Sequence, residues 1–252
     1  YNKTTSLWGA PTNINTFTAA TLISCCIKSD GSRIFLAGYA NPQWGTWNGA
    51  SFTMTTITNS KSYQGLDMTP DGNRVILSAD FVYFTTWNGT GYDTLTSTGI
   101  SVSANCRGVG VSRDGHKLAF ADGTSLKTAF WNGSTYVLNS SINITLPTLT
   151  LVSGKSGTNY GACRFSPDGN ILFLIALYAT NFSLIYYRWN GSSYDISGSL
   201  PTDYFFTSGP SCWGMSIIMD NSIYLNSGDI TITTIPVFKT TFSASNLYSN
   251  TN

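Results

Sequence analysis

The sequence predicts an all-β chain assembled from a repeated unit of four antiparallel strands. Three observations carry the prediction. A turn signal recurs as Lys28-Ser-Asp-Gly31, Thr69-Pro-Asp-Gly72, Ser112-Arg-Asp-Gly115 and Ser166-Pro-Asp-Gly169, with an eroded copy at Ile218-Met-Asp-Asn221. A second signal interleaves with the first in constant order, as Trp47-Asn-Gly49, Trp87-Asn-Gly89, Trp131-Asn-Gly133 and Trp189-Asn-Gly191, each followed five residues after its Trp by Phe52, Tyr92, Tyr136 or Tyr194. The segments between these signals are short, apolar and rich in β-branched and aromatic residues, as strands are.

Each element of the unit follows in order. The first strand precedes the Asp-Gly turn, with apolar residues three and five positions ahead of the aspartate: Ile27 and Cys25, Met68 and Leu66, Val111 and Val109, Phe165 and Cys163, Ile217 and Met215. Six positions ahead stand small residues: Ser24, Gly65, Gly108, Ala162 and Gly214. The second strand follows the turn as a continuous apolar run, such as Ile34 to Ala37 or Ile171 to Leu174, which is the mark of a strand covered on both faces. A third strand ends in Trp-Asn-Gly, and a fourth carries the following aromatic. Asp-Gly and Asn-Gly between apolar runs are hairpin turns with both central residues at positive φ. Four strands in a unit repeated every forty to fifty residues or so describe a β-propeller blade. Small residues on the first strand suit the crowded centre of such a ring.

Five blades are the preferred count, with six as the alternative. The closure expected for five pairs Thr4–Thr18, as third and fourth strands, with the last inner hairpin around Asp220, so that no sheet edge is left open. The propeller then occupies residues 1–228. Residues 229–252 form a tail, extra strands or a link to a further module.

The Ser166-Pro-Asp-Gly169 turn resembles PD40 or TolB-type and WD40-like propeller repeats. The pairing of the Asp-Gly turn with Trp-Asn-Gly and an aromatic resembles the tandem repeats of secreted surface proteins related to the integrin-type β-propeller. The calcium-binding aspartate loop of integrin-type blades is absent, as are the histidine and Trp-Asp pair of WD40 blades. Size and blade number also resemble the five-bladed lectins of the tachylectin-2 type. These resemblances imply a propeller; they do not supply a function.

Composition excludes several classes. The chain is 42% hydrophobic and 14% aromatic but only 10% charged, with a formal net charge of +1. An ordinary soluble chain carries about a quarter charged residues. No cluster of Lys and Arg offers a track for phosphates, so nucleic acid is not an expected partner. No apolar run approaches the length of a membrane span. Disorder requires few aromatics. With Tyr1 in first place, the chain reads as a processed form or an excised domain. The shortage of charge places it outside the cytoplasm: extracellular, at a cell surface or on a virion. The five cysteines are irregularly spaced and only one histidine is present, which argues against a zinc site or a disulfide framework. Cys106 and Cys212 share an offset, and a bridge between them is one option. No cofactor and no catalytic residue is expected. His116 reads as a turn residue, and the turn aspartates as caps of their own turns.

Candidate ligand positions are those where the repeat diverges, seven and eight residues ahead of each aspartate, at one mouth of the central funnel: Tyr63, Gln64, Arg107, Tyr160 and Trp213, with Asn105 and Asn159 adjoining them. The alternative is an aromatic platform of Trp47, Trp87, Trp131 and Trp189. Asp67 and Arg164, each four residues ahead of its aspartate, place charge among small residues and call for a partner, either each other or a ligand. Seven Asn-x-Ser/Thr sequons, at Asn2, Asn88, Asn132, Asn139, Asn143, Asn181 and Asn190, are glycosylation candidates. The expected function is a non-enzymatic binding or adhesion module for carbohydrate or a cell-surface glycoprotein. Structural display or self-association on a surface protein is the alternative, and a hydrolase on a propeller scaffold the third reading.

Overall fold

A computed structural model describes residues 22–59, 61–103, 106, 108–122, 125–145, 159–177, 182–191, 194–199, 212–217, 222–227 and 237–241. β1 (Leu22–Ile27), β2 (Arg33–Gly38), β3 (Gln43–Trp47) and β4 (Phe52–Thr56) form a first sheet. β5 (Gly65–Met68), β6 (Arg74–Ser78), β7 (Phe81–Thr86) and β8 (Thr96–Ser101) form a second. A third holds β9 (Gly108–Val111), β10 (Lys117–Asp122), β11 (Ser125–Trp131) and β12 (Tyr136–Thr145). The fourth holds β13 (Asn159–Phe165), β14 (Ile171–Leu177), β15 (Phe182–Trp189) and β16 (Tyr194–Ser199), and the fifth β17 (Cys212–Ile217), β18 (Ser222–Ser227) and β19 (Val237–Thr241). Every pairing within these sheets is antiparallel, and the strands follow in chain order.

The first strands carry the sheets side by side: β5 packs on β1, β9 on β5, β13 on β9 and β17 on β13. The expected four-stranded units and their blade-like stacking are present. The last sheet differs from the closure expected. The place beside β18 given to Thr4–Thr18 is held by β19, from the segment set apart as 229–252. β19 carries no Trp-Asn-Gly, so the signal that marked the other third strands was missing. Thr4–Thr18 itself lies outside the described residues.

The Asp-Gly turns also differ in detail. Gly31, Gly72, Gly115 and Gly169 each donate their N–H to the carbonyl three residues back, at 2.7–2.8 Å. The aspartate is therefore the third residue of the turn and the glycine the fourth, with φ between 66° and 76°. Asp and Gly are not the two central residues. The aspartate Oδ1 accepts the N–H two residues on, from Ser32, Asn73, His116 and Asn170, at 2.9–3.1 Å. The capping role expected of these aspartates is what the structure shows.

The core lies between sheets. On the first and second strands of the second and third sheets, alternate residues face the preceding sheet and the following one. Phe35 and Ala37 of the first sheet meet Leu66, Met68, Val75, Leu77 and Tyr92 of the second. Ile76 and Phe84 meet Val109, Val111, Leu118, Phe120 and Tyr136. Ala119, Ala121 and Leu126 meet Cys163, Phe165, Leu172, Leu174 and Tyr194. β6 and β10 are thus buried from both sides, which is why no polar alternation appears in their sequences.

Candidate functional site

The two ends of the sheets are built differently. At the end holding the Asp-Gly and Trp-Asn-Gly turns, consecutive sheets are fastened by a repeated device. A basic residue three positions after the turn aspartate reaches into the next sheet. Arg33 donates to the carbonyls of Asp71 and Gly72 at 2.8 and 3.1 Å, and its guanidinium lies 4.2 Å from the Trp87 ring centroid. Arg74 donates to the Gly115 carbonyl at 2.7 Å and lies 3.8 Å from Trp131. Lys117 approaches the Gly169 carbonyl at 3.5 Å and Trp189 at 4.5 Å. The same glycine carbonyls accept the hydroxyls of Tyr92, Tyr136 and Tyr194 at 2.6–2.7 Å. The rings of Trp87, Trp131 and Trp189 sit against those tyrosines, with centroids 4.9–5.2 Å apart. These three tryptophans are engaged by cation and tyrosine, so what the platform reading took as ligand-facing rings joins one sheet to the next. Trp47 differs: among the described residues its ring meets Phe52, at 5.1 Å, with no cation over it, and it is 45% exposed.

At the centre, Asp67 and Arg164 do pair, with Nε 3.4 Å from Oδ1. Arg164 reaches across the first strand of the third sheet, where Gly110 offers no side chain. A Cβ there would stand 2.6 Å from the Cys163 carbonyl oxygen. On the way the guanidinium donates to the carbonyls of Val109, Cys163 and Leu66 at 2.8, 2.8 and 3.1 Å. Asp67 Oδ2 accepts the Val111 N–H at 2.8 Å. Burial pushes the Asp67 carboxyl above the usual range, and the Arg164 charge opposes that shift.

The opposite end holds the loops between fourth and first strands and between second and third. There the first two sheets gather exposed polar groups and an aromatic. Tyr39, 51% exposed, follows β2. Its neighbour Gly38 accepts the Tyr63 N–H at 2.9 Å, which ties the two loops together. Asn41 Oδ1 accepts the Asn59 N–H at 2.9 Å. Lys61 Nζ stands 2.6 Å from Asp80 Oδ2, and the Tyr83 hydroxyl donates to Asp80 Oδ1 at 2.9 Å. These bonds, from Lys61 first, outweigh a raising by partial burial and lower the Asp80 carboxyl. The third sheet repeats part of this, with Lys127 Nζ 2.7 Å from Asp122 Oδ2 and the Ser103 N–H donating to Asp122 Oδ1 at 2.7 Å.

Gln64 of the expected funnel residues lies at this end, half-buried, its N–H on the Ser78 carbonyl at 2.8 Å. Tyr63 does not present itself there: it is 1% exposed, packed in the core between the first two sheets, edge-on to Tyr83 at 6.0 Å. Asn159, Tyr160 and Trp213 begin β13 and β17, and their side chains lie outside the described residues, as do Asn105 and Arg107. Sequence reasoning missed Tyr39, Lys61 and Asp80. An aromatic next to Asn and Pro directly after an apolar run was the available signal.

Cys106 is a free, fully buried thiol pushed up to about 12 by desolvation, so the bridge to Cys212 is not made. His116 is exposed in its turn. Among the described residues no group of His, Cys, Asp or Glu is placed to hold a metal ion, and no helix is long and apolar enough to cross a membrane. Asn88, Asn132 and Asn190 are exposed in their turns and Asn139 is half-buried; Asn143 lies on β12, and its side chain, like Asn2 and Asn181, lies outside the described residues.

No protein-family model matches the chain. No curated protein matches it either. Solved structures do. A proposed TolB from Agrobacterium tumefaciens is similar with a TM-score of 0.55 at 14% identity, over 87% of this chain and 76% of that one. A proposed 6-phosphogluconolactonase from Bacteroides uniformis ATCC 8492 gives 0.53 at 11% identity, over 82% and 67%. A chain of a nidogen/laminin complex gives 0.51 at 10% identity, over 77% and 69%. At such identities the likeness shows the fold alone: an all-β architecture of blade-like, four-stranded sheets of the propeller type.

Proposed function

We propose that the chain is a non-enzymatic binding module that recognises carbohydrate outside the cell or on a particle surface. One observation carries this reading. At the turn end Trp87, Trp131 and Trp189 are used in joining sheets, while at the loop end of the first two sheets an exposed Tyr39 stands on the loop of Asn41, tied through Gly38 and Asn59 to the loop that carries Lys61 and Gln64, with Lys61 paired to Asp80. An aromatic face for stacking against a sugar ring, flanked by amides and a charged pair for hydroxyls, is the chemistry a neutral polar glycan requires. The near-neutral chain suits a neutral ligand. Exposed Asn88, Asn132 and Asn190 suit a glycosylated surface protein. Weak single sites of this kind gain from repetition on a surface.

Glycan-array binding of the purified chain tests the reading, compared with Tyr39→Ala and Gln64→Ala. Binding to a defined glycan class, lost at least tenfold in Tyr39→Ala, supports it. A chain that binds no glycan on the array overturns it.

A further inference from the structure

The two repeated turns set a glycine after a carboxylate in one case and after an amide in the other, and they treat its N–H differently. In the Asp-Gly turns the N–H of Gly31, Gly72, Gly115 and Gly169 is bound to the carbonyl three residues back at 2.7–2.8 Å. In the Asn-Gly turns of the second and third sheets the N–H of Gly89 and Gly133 has no acceptor among the described residues, and a Cβ on either would meet nothing within 4 Å. The asparagines ahead of them, Asn88 and Asn132, are exposed. Each is held by its Oδ1. That of Asn132 accepts the N–H groups of Ser134 and Thr135 at 2.9 Å and the Ser134 hydroxyl at 3.0 Å. That of Asn88 accepts the same three kinds of donor from Thr90 and Gly91, each at 3.0 Å. The two turns differ at Nδ2. Asn88 Nδ2 donates to Asp93 Oδ1 at 2.9 Å, whereas Asn132 Nδ2 has no acceptor among the described residues.

We propose that Asn132 is a site of spontaneous deamidation through a succinimide, and that Asp93 holds the same reaction back at Asn88. In the first step the Gly133 nitrogen loses its proton to hydroxide and bonds to Asn132 Cγ, and the negative charge of the adduct falls on Oδ1. The N–H groups of Ser134 and Thr135 and the Ser134 hydroxyl already donate to that oxygen, the arrangement that stabilises a developing oxyanion. The carbonyl then re-forms as the Cγ–Nδ2 bond breaks, and Nδ2 takes a proton from water and leaves as ammonia. Water opens the five-membered imide at either carbonyl, to aspartate or isoaspartate, and nothing is oxidised or reduced. At Asn88 the Asp93 carboxylate touches the reacting amide, where its charge opposes the growing negative charge and its hydrogen bond fixes the leaving nitrogen. The Asp-Gly turns are shielded, because their glycine nitrogen is engaged and an ionised carboxylate is a poor electrophile. Conversion at Asn132 adds one negative charge to a chain of formal net charge +1 and removes the Asn132-Gly-Ser sequon. Deamidation and glycosylation of this turn therefore exclude each other. The inference does not depend on what the module binds.

The test incubates the full chain, produced without glycans, at mildly alkaline pH and follows each site by peptide mapping. Conversion raises the peptide's mass by one unit, and isoaspartate elutes apart from asparagine. In urea, where both turns are lost, Asn88 and Asn132 share an Asn-Gly-Thr/Ser sequence and are expected to convert within twofold of each other. In the native chain Asn132 is expected to convert at least fivefold faster than Asn88. Asp93→Asn is expected to raise the Asn88 rate at least threefold and leave the Asn132 rate unchanged. Equal native rates at the two sites make the order a property of sequence and overturn the proposal. A native chain in which neither site converts, while both do in urea, overturns it by making the turn a shield. An Asn88 rate indifferent to Asp93→Asn overturns the part given to Asp93.

Discussion

The Arg74 guanidinium lies 3.8 Å from the centroid of the Trp131 ring, one sheet further along the chain, and donates to the Gly115 carbonyl at 2.7 Å. The contact couples two residues on neighbouring sheets that share no backbone pairing. A partly desolvated cation over an indole contributes about 0.5–2 kcal/mol. A double-mutant cycle of Arg74→Met and Trp131→Leu, read by urea unfolding, is expected to give a coupling energy in that range, since contacting residues are not additive. Pairing Arg74→Met with Trp189→Leu, two sheets away, is expected to be additive within error. Coupling near zero at the first pair would remove the fastening from the account of stability.

The ion pair at the centre has a different signature. Removing Arg164 leaves Asp67 desolvated beside Val111 with no counter-charge, and breaking a buried pair from one side costs about 3–5 kcal/mol. Burial already raises the Asp67 carboxyl, with Arg164 opposing the shift, so Arg164→Met raises it further. A folded-state value above the unfolded one means that the protonated form is favoured in the fold. Stability is then fully present below the unfolded value, about 3.9, and is lost as pH rises through the folded one. Arg164→Met is expected to be more stable at pH 5 than at pH 8, and adding Asp67→Leu to remove the slope. Urea midpoints at the two pH values check both.

Much of this architecture was legible in the chain. Asp71-Gly72 followed by Val75, Ile76 and Leu77, then by Trp87-Asn-Gly, marks a hairpin and its third strand because each turn needs a residue type that strands reject. Asp67 and Arg164 stood out as charges among small residues, and their pairing was one of two partners foreseen. The fastening was harder to see, because Arg33 and Trp87 are far apart in sequence and only the stacking of sheets joins them. A basic residue at the third place after the aspartate in three successive units was the clue. Tyr63 misled for a local reason. It lies ahead of β5, and its N–H goes to Gly38 of the first sheet and not to β6, so the strand alternation of β5 does not extend back to the eighth residue ahead of the aspartate. β19 falls within 229–252, where extra strands were one of the readings, but neither turn signal accompanies it to fix its place beside β18.

The turn aspartates set the acid limb of stability. Partial burial works to raise Asp71, Asp114 and Asp168. The hydroxyls of Thr69, Ser112 and Ser166, at 2.5–2.6 Å, and the N–H groups of Asn73, His116 and Asn170 outweigh it, and all three carboxyls are lowered. A depressed folded value contributes stability above the unfolded value, lost as pH falls through the folded one. The urea midpoint is therefore expected to drop from about pH 4 downward. Asp114→Asn is expected to be less stable than the parent at pH 6 and to lose less between pH 4 and 2. An acid limb unchanged in that variant would place the titration elsewhere.

Thiol reactivity separates the covered sheets from the uncovered one. Cys106 and Cys163 are wholly buried, and desolvation raises both thiols. The thiolate is the reactive form, and burial in apolar surroundings both suppresses it and blocks the reagent. Cys25 is exposed on β1, on a face that no sheet covers among the described residues; burial raises its thiol too, with Arg164 opposing, so the contrast rests on access to the reagent. A thiol reagent such as 5,5′-dithiobis-(2-nitrobenzoate) is expected to label Cys25 in the native chain at a rate at least a hundredfold above that of Cys106 and Cys163, which react only on unfolding in urea. Peptide mapping after partial labelling assigns the sites, and Cys25→Ser removes the fast phase. Labelling of Cys25 as slow as that of Cys163 would mean that its face is already covered.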